Sequence, residues 1–385
     1  MGFPRVLAVF AAVTALMAGC GHTSERPKSA PASSLPAKAI PPARPACGDP
    51  AAMLAAMSTR DKLAQLLMVG VRNGDDAKAV VTDHHVGGIF IGSWTDLSML
   101  SNGMVKTLSA STALPVAVSV DEEGGRVARL SSLIGPAPSA RVLAQTHTAD
   151  EVYGIALDRG HRMRGLGITV DFAPVVDVTN APDDTVIGDR SFSADPAVVT
   201  AYAGAYARGL RDAGLLPVLK HFPGHGHGSG DSHTGGVTTP PLDQLQNVDL
   251  VPYRTLVSAA PVGVMIGHLQ VPGLTGDQPA SLSPAAVQLL RTGTGYKGPA
   301  FDGPVFSDDL SSMAAINQHY GVPEAVLRAL QAGTDIALWV TTDEVPAVLD
   351  RLEKALAAGE LTMPAVDASV LRVAKVKGPK PDCGR

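Results

Sequence analysis

Aromatic side chains are scarce in this 385-residue chain. They make up 4% of it, and only two are tryptophan. A protein whose sole task is to hold a ligand between stacked rings would carry more, so a purely binding role is disfavoured. The net charge is −5 and no run of lysine and arginine stands out, which argues against a nucleic-acid partner. The longest apolar run, 6–17, is too short to cross a bilayer. No glycine fingerprint follows the first strand-like run, so a dinucleotide cofactor lacks its usual cradle. Nor does any helix carry the apolar face of an obligate oligomer, and a monomer is expected. Cysteine occurs three times, at Cys20, Cys47 and Cys383.

The two ends of the chain have characters of their own. Arg5 precedes the apolar run, which closes on Met17-Ala18-Gly19-Cys20. This is a targeting segment, and it resembles a bacterial lipoprotein signal with Cys20 as the lipidated new N-terminus. Methionine stands where such signals usually carry leucine or valine. The resemblance implies a protein held at the cell membrane by its lipid alone and facing away from the cytoplasm; an ordinary secretory signal is the other reading. Residues 20–46 are rich in proline, alanine, serine and lysine and form a tether rather than a fold. Residues 47–385 remain for the folded domain. In an oxidising compartment Cys47 and Cys383, one at each end of that domain, are a candidate disulfide; two free thiols are the alternative.

Within the domain eight short apolar runs alternate with helical stretches. They begin at Leu67, Gly88, Val116, Ile168, Leu215, Gly263, Pro304 and Asp335. Ser58-Thr-Arg-Asp61 marks a helix start, and further helices fall near 76–83 and 149–164. Eight strand–helix repeats across about 280 residues predict a single α/β domain of the (β/α)8 barrel type. A doubly wound open sheet is the competing architecture. In a barrel the carboxyl ends of all the strands face one mouth. That mouth would collect Asp121, Lys220, His221, His268 and Asp308.

Lys220 to His233, Lys-His-Phe-Pro-Gly-His-Gly-His-Gly-Ser-Gly-Asp-Ser-His, is the least ordinary stretch. Its alternating glycines deny it a helix or a stiff strand and predict a mobile loop that carries titratable groups over the mouth. Asp231 and His233 suit a carboxylate–imidazole pair, the aspartate orienting the ring. The histidines with Asp231 could instead ligate a metal, or the loop could be merely solvated. Of Asp308 and Asp309, which follow an apolar strand, one should face the mouth; strand periodicity does not decide which, and Asp309 also suits an N-cap. Asp121, Arg126, Arg129 and Arg190 suit hydrogen bonds to hydroxyls or a carboxylate. Lys220 beside His221 is hard to explain by packing, since lysine is rarely buried unpaired. A carboxylate in the mouth with a separate acid on a loop suits displacement at an acetal carbon.

Five motifs in one order, Asp121-Glu-Glu-Gly-Gly-Arg-Val127, Gly188-Asp-Arg-Ser-Phe192, Lys220-His-Phe-Pro-Gly-His-Gly226, Asp231-Ser-His233 and Phe306-Ser-Asp-Asp-Leu310, together resemble the bacterial β-N-acetylglucosaminidases of glycoside hydrolase family 3. The resemblance runs from about Ser58 to Ala368. It implies a retaining exo-acting hydrolase that removes terminal N-acetylglucosamine from peptidoglycan fragments through a glycosyl-enzyme on Asp308. His233, supported by Asp231, would be the acid/base. Asp121, Arg129, Arg190, Lys220 and His221 would hold the sugar, with no metal and no cofactor. One departure is His227-Gly-Ser-Gly230 where the family usually places Asp-Thr. Some relatives add a second α/β domain; here every site residue is expected from the barrel and its loops. Because the acid/base is a histidine and carries no negative charge, phosphate could replace water, and a phosphorylase is the alternative. A metal-dependent barrel hydrolase and a non-catalytic sugar-binding lipoprotein are the remaining ones.

Overall fold

The structure, a computed structural model, describes residue 2 and residues 50–377 apart from 111, 113 and 260. Cys20, Cys47 and Cys383 fall outside the described residues, and with them the expected lipidation and the expected disulfide.

All eight predicted strands are present: β1 (Leu67–Gly70), β2 (Gly88–Ile91), β3 (Ala117–Val120), β4 (Val170–Asp171), β5 (Leu216–Phe222), β6 (Gly263–Ile266), β7 (Val305–Ser307) and β8 (Ala337–Trp339). They pair in parallel in the order β7-β6-β5-β4-β3-β2-β1-β8. The outer two meet as well: Phe306 bridges Ile336, and the Ser307 and Leu310 amides donate to the carbonyls of Ile336 at 3.0 Å and Leu338 at 2.9 Å. The sheet therefore closes into a (β/α)8 barrel and the open-sheet alternative falls.

Side-chain alternation explains why such short strands hold. Met68, Phe90, Ala117, Leu216, Val218, Met265 and Phe306 point inward and pack on one another with Phe172. Their neighbours Leu67, Val69, Ile89, Ile91, Val118, Val264 and Ile266 point outward into the layer beneath the helices. Inside the barrel Phe172 stands between Phe90, at a ring distance of 5.8 Å, and Phe306, at 5.5 Å. Buried on both faces, each strand can be apolar at nearly every position, and the sequence has just such runs.

The surrounding helices start where the local chemistry says they should. Ser58 caps α1 (Thr59–Ala64), and Asn73 caps α2 (Gly74–His84). Among the later helices are α3 (Met104–Ala110) and α4 (Ala149–Leu166), the second of which opens with a reciprocal capping box of Thr148 and Glu151. Asp195 followed by Pro196 opens α5 (Pro196–Asp212). Each such cap contributes about 1 kcal/mol. No helix among the described residues is long and apolar enough to cross a membrane.

Candidate active site

The carboxyl ends of the strands surround a cavity of about 240 Å³ whose wall includes Asp121, Glu123, Arg129, Arg190, Lys220, His221, His225, His233 and Asp308. The predicted mouth exists, and every residue placed there as catalytic or sugar-holding lines it except Asp231, which acts on it through His233.

Lys220 and His221 stand within β5 rather than after it. The strand runs three residues further than its apolar pattern because both neighbours keep pairing with it. The Val176 amide donates to the Lys220 carbonyl at 2.8 Å, and the Gly267 amide donates to Phe222 at 3.0 Å. Lys220 is thereby buried, with its ammonium 2.6 Å from Asp121 and 2.7 Å from Glu123. Glu123 in turn accepts two bonds from one edge of the Arg190 guanidinium, from Nε at 2.8 Å and Nη2 at 2.9 Å. Burial opposes ionisation of Glu123, but Arg190 and Lys220 outweigh it and hold the carboxyl far below its ordinary value. Burial alone would lower Arg190 and Lys220 too; Glu123 raises the first, and Asp121 with Glu123 raises the second. The floor of the site is a fixed alternation of charges.

His221 is set by a residue the sequence reading did not single out. Asp177, fully buried, takes the His221 ring Nδ1 at 2.7 Å and the backbone amides of His221 and His225 at 3.3 and 2.7 Å. Burial works against its charge, yet His221 and His225 lower its pKa. Nε2 is left as the free nitrogen of the His221 ring at the cavity wall. Asp177 had one signal in the chain: it follows Val175-Val176, where β4 hands over to its loop. Glu123 was equally legible inside the Asp121 motif. Neither pairing could be read from sequence, since the partners lie 44 and 67 positions away.

Asp308, at the end of β7, is buried on the same wall, with Oδ1 accepting the Asp309 amide at 2.9 Å. Burial would raise its pKa, but His268, His221, that amide and Lys220 bring it below its ordinary value. Asp309 also borders the cavity, but its carboxylate is engaged in the turn that follows rather than as a helix N-cap: it accepts the Ser311 and Ser312 amides at 2.8 and 3.1 Å and both serine hydroxyls.

The glycine-rich segment is tied to its surroundings at two points. The Ser229 amide donates to Thr238 at 2.9 Å, and the Ala315 amide donates to Ser232 at 3.1 Å. His225 and Ser232 are buried. A side chain at Gly226 would run into the Val178 carbonyl, so glycine is required there for close approach. The histidines do not converge on one point. His227 pairs with Asp249 at 3.0 Å, His221 with Asp177, and His233 Nδ1 with Asp231 at 2.7 Å. Asp231 also accepts the His233 amide at 2.9 Å. Burial nudges Asp231 upward, but these bonds and the ring bring it below its ordinary value. The His233 ring is half-exposed and keeps Nε2 for the cavity.

Two expectations need correction. His268 does not line the mouth: Nε2 donates to the Asp309 carbonyl at 2.7 Å, and Nδ1 meets the Ser281 hydroxyl at 2.7 Å. It buttresses the segment that carries Asp308. Arg126 likewise turns away and ties down the carbonyls of Thr185, Val186 and Ile187 with Asp189. Arg129, by contrast, lines the cavity, and no described residue pairs with its guanidinium.

The sequence matches the model of the "Glycosyl hydrolase family 3 N terminal domain" over residues 58–376. It is 68% identical over 389 residues to beta-hexosaminidase LpqI of Mycobacterium tuberculosis (strain ATCC 25618 / H37Rv), with both chains covered in full. A solved structure of M tuberculosis LpqI superposes with a TM-score of 0.86 at 73% identity, covering 88% of this chain and 98% of that one. A glycoside hydrolase family 3 beta-N-acetylglucosaminidase from Paenibacillus sp. str. FPU-7 gives 0.77 at 33% identity, covering 83% and 62%.

Proposed function

The chain belongs to glycosyl hydrolase family 3, and from that premise we propose that it is a retaining exo-β-N-acetylglucosaminidase. The observation that carries the reading is that one small cavity presents a buried carboxylate, Asp308, and an aspartate-supported imidazole, His233. At about 240 Å³ it falls below the roughly 300–1,000 Å³ of pockets that take larger ligands. One terminal sugar ring suits such a space better than the interior of a chain.

The residues supply a double displacement. Asp308 attacks the anomeric carbon while His233 Nε2 gives its proton to the departing oxygen, leaving a glycosyl ester on Asp308. His233, now neutral, takes a proton from water, which attacks the same carbon and frees Asp308. Asp231 keeps the ring proton at Nδ1 throughout and fixes its orientation. Asp121, Arg129, Arg190, Lys220 and His221 hold the sugar; the charge network beneath them keeps their heads in place, so little reorganisation accompanies binding. The substrate we propose is a peptidoglycan fragment ending in β-linked N-acetylglucosamine. The enzyme would meet it outside the cytoplasmic membrane, as a monomer anchored through lipidated Cys20. The names of the relatives, beta-hexosaminidase and beta-N-acetylglucosaminidase, support the sugar assignment.

The test is hydrolysis of N-acetyl-β-glucosaminides by wild type, Asp308→Asn and His233→Ala. Asp308→Asn should lose about a thousandfold or more in kcat with its melting temperature kept. His233→Ala should lose most on glycosides with poor leaving groups and least on activated aryl glycosides. Equal loss on both would refute the acid role.

A further inference from the structure

Aromatic side chains are few, yet one of the two tryptophans is left in water. Trp94 is 46% exposed, while Trp339 is fully buried in β8. Among the described residues only Trp94 and Val142 are large hydrophobic side chains left exposed. Trp94 sits in the turn after β2, and its indole borders the sugar cavity. It also borders a second hollow of about 240 Å³ with Arg72, Val340, Thr341, Thr342 and Asp343. Trp94 and Val340 are common to both walls, so the indole forms the ridge between them.

The ring is held in place. Thr95, buried beneath it, donates from its hydroxyl to the Val71 carbonyl at 2.6 Å and accepts the Gly92 amide at 3.0 Å. The Asp96 amide donates to the Arg72 carbonyl at 2.8 Å. A methyl at Gly92 would strike the indole, so the ring rests directly on that backbone. Phe90 supports it from below at 6.0 Å, and Phe90 begins the aromatic line inside the barrel. An apolar face fixed from behind and open in front is a platform whose ordering cost is already met by the fold. The hollow beyond it is walled by hydroxyls and charged groups: the Arg72 guanidinium lies 3.3 Å from Asp343 and 3.4 Å from the Thr342 hydroxyl. That lining suits a hydroxylated ring rather than an alkyl or aryl group.

We propose that Trp94 is the platform for the leaving-group sugar. The pyranose on the far side of the scissile bond lays its C–H face on the indole, and its substituents enter the Arg72–Asp343 hollow. This rests on the glycosidase reading above and extends it from the sugar that is released to the one it leaves behind. Binding energy from this second ring would be available to the transition state, so the platform selects saccharide aglycones over simple alcohols.

The experiment compares kcat/KM on N,N′-diacetylchitobiose, whose leaving group is a full ring, with that on N-acetyl-β-glucosaminyl fluoride, whose leaving group is one atom. Trp94→Ala should lower the disaccharide value about ten-fold and leave the fluoride value within about two-fold; Trp94→Phe should fall between. Gly92→Ala, which keeps the indole but displaces it, should reproduce the selective loss even if Trp94→Ala folds poorly. Equal losses on the two substrates, or none on either, would overturn the platform. A wild-type protein inert toward both would instead sink the glycosidase reading, and the platform with it.

Discussion

Asp177 gives the sharpest test of how the site is held. It is buried without solvent contact and accepts three hydrogen bonds, from the His221 ring at 2.7 Å and from the amides of His221 and His225 at 3.3 and 2.7 Å. Asp177→Ala strands all three donors. Each stranded donor costs about 1–3 kcal/mol; because they share one site and can relax together, a total of about 3–5 kcal/mol is expected. Against a typical stability of about 5–15 kcal/mol that brings the protein near its unfolding threshold. Asp177→Asn separates support from chemistry. Its amide oxygen can still accept the two backbone donors, so only about 1–2 kcal/mol should be lost. Its NH2 group then faces Nδ1, which must become the acceptor and send the ring proton to Nε2. Asp177 fixes an N–H at Nδ1 of His221, whereas the asparagine would fix a lone pair there, so the ring would line the cavity with its hydrogen-bonding pattern changed. A fall of about 10- to 100-fold in kcat/KM should follow, with folding nearly intact. Urea unfolding followed by steady-state kinetics on both variants measures the two effects. An alanine variant losing under about 1 kcal/mol, or an asparagine variant with unchanged kcat/KM, would refute this account of the residue.

Two buried carboxyls make opposite pH predictions. Glu123 is held below its ordinary value, so its stabilising effect is complete above the unfolded glutamate pKa of about 4.3 and fades as the pH falls below it. Glu123→Gln should therefore lower the melting temperature at pH 7, with the gap to wild type closing under acid. Asp171 is raised well above the carboxylate range by burial and then by Glu122; it accepts the Glu122 amide at 3.0 Å through one oxygen, and its other oxygen has no partner. Folded protein keeps a proton that the unfolded chain releases above about pH 3.9, so this group costs stability as the pH rises. Asp171→Asn should raise the melting temperature at pH 7 and leave it unchanged near pH 3, as a thermal scan across pH would show. Finally, products formed with and without inorganic phosphate should be the same free N-acetylglucosamine; a sugar 1-phosphate would replace hydrolysis with phosphorolysis.

The barrel was legible because a strand buried on both faces has to be apolar almost throughout, and Leu67–Gly70 or Gly263–Ile266 can hardly be anything else. The mouth was legible because polar residues followed directly on those runs. Partnership was hidden. Whether His268 faced the cavity or braced its wall depended on Ser281 and the Asp309 carbonyl, neither of which its own neighbours in sequence announce. Glycine content likewise says nothing of where the 220–233 segment is tied down. Composition reports what the backbone is free to do, whereas the hydrogen bonds to Thr238 and from Ala315 decide what it does. Trp94 carried no periodicity at all, and its meaning came only from the two hollows it divides.

The bond from the Ala315 amide to Ser232, with a longer one from Ala314 to the His233 carbonyl at 3.4 Å, joins the turn after β7 to the turn after β5. Asp308 and the Asp231–His233 dyad are thus carried on two excursions of the chain that are clasped at their tips. For anyone transplanting specificity between relatives, the unit of exchange is then the pair. A foreign 223–236 insert that arrives without its matching 308–315 half would meet the wrong latch, and the spacing between His233 and Asp308 would drift even with every motif residue retained.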